Sequence, residues 1–206
     1  MSGLSPTEEK FEEHIEKHMC SVGYTSTDFH EYDRSLCLIK DQVIDFIKTT
    51  QPEKWERLTE IYDLDTENKI LSRISSEVSK RGIVDVLRNP VVDRGVYLNL
   101  CYFEPKSDLN PEHLKLFQSN RFTVMRQLHY SNQNENSIDM GLFLNGLPIV
   151  TMELKNQLTG QNVKHSQNQY RNDRDPREPL LQFKRCMVHF CVDNDRVSMT
   201  TRLSGP

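Results

Sequence analysis

The chain of 206 residues is long enough to bury one good core, and its length alone predicts one domain or one domain with an appendage. Its formal net charge is −4, with 26 basic and 30 acidic side chains, which excludes a protein that coats nucleic acid through its whole surface. No apolar run approaches the roughly 18 residues of a membrane span and no signal segment is visible. We therefore expect a soluble, cytoplasmic protein without a membrane partner.

Neither the cysteines nor the glycines form a recognisable cofactor motif. Cys20, Cys37, Cys101, Cys186 and Cys191 form no C-x-x-C pair and lack the histidine spacing of a zinc site, so we expect reduced cysteines in the core. The chain also lacks the G-x-x-x-x-G-K-[ST] loop that cradles nucleotide phosphates. This sequence therefore contains no recognisable ATP site.

A first helix is predicted to begin near Ser5. Pro6 suits the first helical turn, and Glu8 and Glu9 favour the positive end of the helix dipole. An apolar stripe follows, and Gly23 ends the helix. The stripe consists of Phe11, Ile15, His18, Met19 and Val22.

A group of helices is predicted next, after a polar stretch over residues 23–34 that we expect to be irregular. Apolar residues at helical spacing predict helices at about 41–50, 53–62 and 69–81. Together they form a helical insertion over residues 36–81. Strands are then predicted over residues 96–103 and 122–130, with a short helix over 111–117 between them.

A catalytic hairpin is predicted between residues 137 and 155. Two apolar runs flank Asn145-Gly146, the strongest short-range hairpin signal because both residues tolerate positive φ. Asp139 lies in the first strand, and Glu153 and Lys155 lie in the second. Because strand side chains alternate with period two, Glu153 and Lys155 point to one face and Leu154 points to the other.

Charges in an apolar strand are costly unless they are compensated. Two carboxylates and a carbonyl suit a hard cation, so we hypothesise that Asp139, Glu153 and the Leu154 carbonyl hold Mg²⁺. Lys155 would then position or polarise a water beside a phosphodiester. The alternative is an edge strand whose outer face is solvated, with Glu153 and Lys155 as ordinary surface charges.

The single-site hypothesis constrains the register of the hairpin. A simple two-residue loop at Asn145-Gly146 would pair Asp139 with Met152. The side chains of Asp139 and Glu153 would then lie on opposite faces of the sheet. We therefore predict an odd-length loop or a bulge within a strand, which would bring both carboxylates to one face.

Beyond the hairpin, a helix is predicted from Asn162 to about Arg174, near the end of the sheet where Lys155 emerges. Residues 164–185 carry a net charge of +3, which favours local contact with DNA phosphates. The predicted DNA-contacting residues are Lys164, Gln169, Tyr170, Arg171 and Arg174. Residues 187–192 form an apolar run that predicts a buried strand, with His189 as a core histidine, and residues 197–203 predict one more strand.

Several separated blocks resemble the N-terminal nuclease domain of type I restriction enzyme R subunits, in the PD-(D/E)xK superfamily. The blocks are Asn136-Ser137-Ile138-Asp139, Phe143-Leu144-Asn145-Gly146-Leu147-Pro148, Glu153-Leu154-Lys155-Asn156, Thr159-Gly160-Gln161 and residues 169–176. They occur in the family's order and extend the resemblance from about Phe11 to the last residue. Ile138 replaces the proline of the superfamily motif. The Gln-x-x-x-Tyr helix motif is also incomplete, because Ser166 precedes Tyr170 by four positions, and either Gln167 or Gln169 takes the glutamine's place.

The resemblance implies an α/β fold with a mixed central β-sheet flanked by helices, as in restriction endonucleases, over a single nuclease domain of residues 1–206. It implies Mg²⁺-dependent cleavage of double-stranded DNA with Asp139, Glu153 and Lys155 as catalytic residues. By its offset from Gly23, Glu12 is a further candidate metal ligand, with a surface role as the alternative.

The resemblance also implies a larger subunit with an ATP-driven motor after residue 206, working with methylation and specificity subunits. The alternatives are a free-standing repair or junction-cleaving nuclease of the same superfamily and a non-catalytic docking module. Alanine at Asp139, Glu153 or Lys155 is expected to abolish cleavage. The metal-free melting temperature is expected to stay unchanged or to rise, because clustered carboxylates repel one another.

Overall fold

A mixed six-stranded β-sheet is the centre of the computed structural model, which describes residues 6–107, 109–156 and 161–203. Its strands are β1 (Thr25–Thr27), β6 (Phe122–His129), β7 (Ser137–Leu144), β8 (Leu147–Leu154), β9 (Val188–Val192) and β10 (Val197–Thr200), in that spatial order. β1 runs parallel to β6 and β8 runs parallel to β9, whereas the other neighbours are antiparallel. The predicted mixed sheet is thus confirmed.

Helices and two small hairpin sheets surround the central sheet. The helices are α1 (Pro6–Ser21), α2 (Lys40–Thr50), α3 (Pro52–Tyr62), α4 (Thr66–Arg81), α5 (Ile83–Arg88), α6 (Pro111–Gln118) and α7 (Val163–Asn168). The small sheets pair β2 (Tyr32–Asp33) with β3 (Leu38–Ile39) and β4 (Val91–Asp93) with β5 (Val96–Leu98). The helices predicted from the sequence are present, but the one predicted over residues 162–174 is α-helical only over Val163–Asn168. None of the helices in the described part of the chain combines the length and apolar composition that a membrane crossing requires.

The two faces of the sheet are covered by different elements. Apolar side chains of α2, α3 and α4 form the larger core with one face, where Met140, Leu142 and Leu154 lie. The other face packs against α7 and the segment that follows it, and the buried ring of Tyr170 belongs to this second core. Alternation along β7 and β8 directs Asp139 and Glu153 to the second face.

The β7–β8 hairpin contains the bulge that a cation site shared by Asp139 and Glu153 requires. Asn145 and Gly146 both have positive φ, 52° and 82°, in a two-residue turn. Leu142 pairs with Val150 and Phe143 pairs with Pro148, so β8 holds one residue more than β7 at this point. The extra residue restores Asp139 and Glu153 to a common face, and the register prediction is confirmed.

Gly146 is fixed by its surroundings as well as by its φ. Its carbonyl accepts a hydrogen bond from the Ile39 amide at 2.9 Å, and a Cβ at this position would lie 2.5 Å from the Ile39 oxygen and 2.9 Å from the Val43 nitrogen. Both clashing atoms are backbone atoms, which cannot rotate away. The hairpin turn is therefore locked against the start of α2.

We expect Gly146→Ala to lower the free energy of unfolding by at least about 2 kcal/mol, because strain at positive φ adds to a backbone clash. Gly95→Ala is the matched control, since Gly95 has φ +78° and open space around it. That variant should cost only about 1 kcal/mol. Urea denaturation measures both, and equal losses would contradict the proposed clash.

Three sequence predictions need correction. Cys20, expected in the core, is exposed. The polar stretch predicted to be irregular contains β1, a three-residue edge strand that pairs in parallel with β6. The strand predicted over residues 96–103 is only the three-residue β5, and it pairs with β4 outside the central sheet. In both places the partner strand, rather than local periodicity, determines the pairing.

Candidate active site

The hairpin brings Asp139, Glu153 and Lys155 together at one end of the sheet. The Leu154 amide donates a hydrogen bond of 2.6 Å to Asp139 Oδ2, and Lys155 Nζ lies 4.0 Å from the same oxygen. The Lys155 amide donates to the carbonyl of Val192 on β9, which holds the end of β8 in place. Glu153 is fully buried and Lys155 is nearly so. The solvated edge strand considered as an alternative is therefore wrong.

Burial makes both carboxylates poor anions. It raises the pKa of Glu153 to about 8, with a further contribution from the nearby Asp139, while Arg174 and Lys155 oppose the rise. Burial also raises the pKa of Asp139, against the influence of Lys155 and of the Leu154 amide. The two groups therefore favour their neutral forms, and a nearby cation would stabilise them as anions.

Arg174 is one such cation. Its Nε donates a hydrogen bond of 2.8 Å to Glu153 Oε1, and its guanidinium lies 5.7 Å from the centre of the Tyr130 ring. Both partners of the ion pair are buried. Removal of one partner leaves the other charge buried and unpaired, which lowers stability and changes the expected melting temperature of a Glu153 variant. Glu153→Ala should lower the metal-free melting temperature rather than leave or raise it.

Glu12, on α1, lies close enough to Asp139 for the two carboxyl groups to interact electrostatically. It is buried, and it accepts hydrogen bonds from Arg126 Nε at 3.3 Å and from Gln127 Nε2 at 2.9 Å. Gln127 has φ 48° in the middle of β6, and its side-chain oxygen accepts a hydrogen bond from the Ser137 hydroxyl. The surface role considered for Glu12 is thus excluded by its burial.

The pKa of Glu12 predicts a pH-dependent stability. Burial and the neighbouring Asp139 raise this pKa from 4.5 to about 7. The folded state therefore holds the proton more tightly than the unfolded chain does. The resulting stability is complete below pH 4.5 and is lost as the pH rises through 7.

We expect Glu12→Gln to leave metal-free stability unchanged at about pH 5 and to raise it by on the order of 2 kcal/mol at about pH 8.5. Urea denaturation in EDTA at the two pH values measures the difference. Glu9→Gln, at an exposed position of the same helix, is the control and should have no such pH dependence. A pH-independent effect of Glu12→Gln would contradict the shifted pKa.

A cleft of about 600 Å³ opens beside the carboxylates. Its lining includes Asp139, Lys155, Gln169 and Arg174. The side-chain oxygen of Gln169 is buried there without a hydrogen-bond partner, whereas Gln167 donates to the Ser198 hydroxyl elsewhere. Of the two glutamines that the sequence left open, Gln169 is the one that faces the cleft.

The residues predicted to contact DNA are divided by the structure. Tyr170 is buried and its hydroxyl hydrogen-bonds Thr151 at 2.8 Å, so a phosphate contact through this side chain is corrected to a core role. Arg174 is paired with Glu153 instead of facing solvent. Lys164 and Arg171 are exposed, as a DNA contact requires, but neither lines the cleft.

His189 completes the core beneath Tyr170. Its Nδ1 lies 2.7 Å from the Thr151 hydroxyl, and burial lowers its pKa to about 4. The imidazole is therefore neutral and satisfied, and the prediction of a core histidine is confirmed.

The donor set fits a hard divalent cation. Asp139 and Glu153 supply oxygen atoms, and Glu153 Oε2 is buried without a hydrogen-bond partner. Within the described ranges, no three ligating side chains of His, Cys, Asp or Glu converge on one point. Two carboxylates and the Leu154 carbonyl, the set predicted from the sequence, therefore remain the proposed ligands. Glu12 is engaged by Arg126 and Gln127.

Residues 5–206 match the family described as the type I restriction enzyme R protein N terminus. The chain belongs to this family. No curated protein matches the chain significantly.

Membership in the R protein N-terminal family covers α1, the helical layer and the whole central sheet. It agrees with the resemblance carried by the blocks around Asp139, Glu153 and residues 169–176. Sequence reasoning missed the buried partnership of Arg174 with Glu153, for which the sequence carried no signal beyond a basic residue near the end of a predicted helix. It also missed the distorted backbone at Gln127, a residue type that does not signal positive φ.

Proposed function

We propose that this chain is the nuclease region of a type I restriction enzyme R subunit and that it cleaves double-stranded DNA with Mg²⁺. One observation carries the proposal. Asp139 of β7, Glu153 of β8 and Lys155, the residue after β8, converge beside an open cleft, and the carboxylate oxygen Glu153 Oε2 lacks a hydrogen-bond partner. Two buried carboxyl groups this close together repel one another as anions, and a cation bound by both would remove that repulsion.

Mg²⁺ bound by Asp139, Glu153 and the Leu154 carbonyl would polarise the phosphate and stabilise its growing negative charge. Lys155 Nζ lies 4.0 Å from Asp139 Oδ2 and lines the cleft, where its ammonium group is able to orient a water and hold the phosphate oxygen. The unpartnered Gln169 oxygen is an acceptor for that water. In the hydrolysis the water oxygen adds to phosphorus and loses one proton, the bond to the leaving sugar oxygen breaks, and that oxygen gains one proton, so that one water is consumed in all.

The proposed partners follow from the family. A type I R subunit works with methylation and specificity subunits on double-stranded DNA and uses an ATP-driven motor. Lys164 and Arg171 remain proposed phosphate contacts on the surface outside the cleft. No ATP site is proposed within the chain itself.

Cleavage by the assembled enzyme tests the proposal. The complex that contains this chain, its partner subunits and ATP should linearise plasmid DNA with Mg²⁺, and EDTA should abolish the reaction. Asp139→Asn should abolish it without affecting assembly. If the Asp139→Asn complex cuts as fast as the unmodified one, the proposed site is wrong. If both bind DNA and neither cuts, the chain is a docking module.

A further inference from the structure

Arg174 reaches Glu153 from an irregular segment. After α7 the backbone forms a π-helical turn over Gln169–Asp173, and Arg174 itself is extended, with φ −109° and ψ 110°. Single π-helical turns have one residue more per turn than an α-helix and are frequent at functional sites. The guanidinium is thus placed by an irregular turn rather than by a regular helix.

Each buried carboxylate of the site has its own cationic partner. Arg174 lies 2.8 Å from Glu153, and Lys155 lies 4.0 Å from Asp139. Arg126 lies 3.3 Å from Glu12. Arg174 and Lys155 line the cleft, whereas Arg126 does not. Among these partners, Arg174 combines a direct bond to a proposed metal ligand with a position on the cleft wall.

A divalent cation held by Asp139 and Glu153 would lie only a few ångströms from this guanidinium. Two positive groups at that distance repel strongly in a buried site. Glu153 Oε1 accepts the hydrogen bond from Arg174, so a cation would bind the remaining oxygen, Oε2, and share the charge of one carboxylate with the guanidinium. The guanidinium therefore weakens binding of the cation, and the cation in turn weakens the ion pair.

We propose that Arg174 is a displaceable counter-ion, which neutralises Glu153 in the cation-free protein and turns into the cleft to bind a DNA phosphate when a divalent cation takes its place. This inference rests on the proposed nuclease function. Arg174 would have two successive partners, first Glu153 and then a DNA phosphate. The burial of Arg174 in the cation-free protein is then compatible with a phosphate contact. DNA binding would also depend on prior occupancy of the cation site.

The first test measures cation binding without activity. Ca²⁺ is titrated against the thermal unfolding of the chain and of Arg174→Met at pH 8.5, so that loss of the Glu153 proton does not limit binding. Arg174→Met should melt lower without Ca²⁺ and should need about tenfold less Ca²⁺ for half-maximal stabilisation, because the competing charge is gone. Arg174→Lys keeps the charge, so its midpoint should stay near that of the unmodified chain.

Arg177→Met is the matched control. Arg177 is exposed and pairs with Asp175 at 2.8 Å, only three positions from Arg174. Its replacement should leave the Ca²⁺ midpoint unchanged. An unchanged or higher midpoint in Arg174→Met, or failure of that variant to fold even in Ca²⁺, would make Arg174 a permanent structural partner and overturn the proposal.

The second test measures delivery to phosphate. Fluorescence anisotropy with a labelled DNA duplex should show that Ca²⁺ raises the DNA affinity of the unmodified chain and of Arg177→Met. The Ca²⁺-dependent increase in affinity should be at least about fivefold smaller for Arg174→Met. An equal gain in all three proteins would refute the transfer to phosphate. If Ca²⁺ stabilises none of the proteins, including the unmodified chain, the cation site and with it the proposed function fail. A Ca²⁺ effect that Arg174 does not alter sinks only the present inference.

Discussion

Glu153→Gln is expected to lower Mg²⁺-dependent DNA cleavage by at least about a hundredfold, because loss of a direct metal ligand should exceed the 10- to 100-fold cost of losing an outer-shell partner. The substitution removes one charge and keeps the shape. Its side-chain oxygen still accepts the hydrogen bond that Arg174 Nε donates to Glu153. Plasmid linearisation by the assembled enzyme, followed over time in excess Mg²⁺, measures the rate.

A matched control separates catalysis from folding. Glu178 is also a buried glutamate, and it accepts a hydrogen bond of 2.6 Å from the Ser131 hydroxyl outside the cleft lining. Glu178→Gln should therefore cut DNA normally, even if it melts at a lower temperature. A Glu153→Gln enzyme with more than a tenth of the normal rate would remove Glu153 from the cation site.

The part of the site that could be predicted from sequence is the part encoded locally. Asn145-Gly146 specifies its own turn, and alternation along β8 sets the common face of Glu153 and Lys155. The bulge in β8 has no residue signature of its own. It could be predicted only because the hypothesis of one shared cation excluded the regular register.

The parts that were missed depend on contacts between distant segments. The pair of Arg174 with Glu153 spans 21 positions and depends on an irregular turn after α7. The contact of Gln127 with Glu12 spans 115 positions, and its positive φ occurs in a residue type that gives no warning of it. Burial of Tyr170 likewise follows from packing on Thr151. Periodicity reports which face a residue occupies, but not which charge it will meet there.

The charges around the cleft limit how well this chain can hold DNA by itself. Among the residues that the structure describes, four carboxylates line the cleft, on Glu8, Glu135, Asp139 and Asp173, against the cations Lys155 and Arg174. Arg174 is occupied by Glu153. Phosphate contacts supply most of the affinity of sequence-independent binding, and each one is weakened by salt. The cleft thus offers few contacts and an unfavourable field.

We therefore expect residues 1–206 alone to bind duplex DNA at physiological salt with a Kd on the order of 10⁻⁴ M or weaker, and to cut it far more slowly than the assembled enzyme does. On the proposed function, the motor of the R subunit holds the duplex near Glu153 and so supplies a high local concentration that the chain cannot generate. Binding, rather than the chemical step, would then limit the isolated chain. Supercoiled plasmid is incubated with the chain and Mg²⁺ at low and at physiological salt, beside the assembled enzyme, with Glu153→Gln as the control in each case. Low salt should restore part of the cutting by the isolated chain. Efficient cutting at physiological salt that Glu153→Gln abolishes would instead identify a free-standing nuclease, because such an enzyme needs no delivery of its substrate.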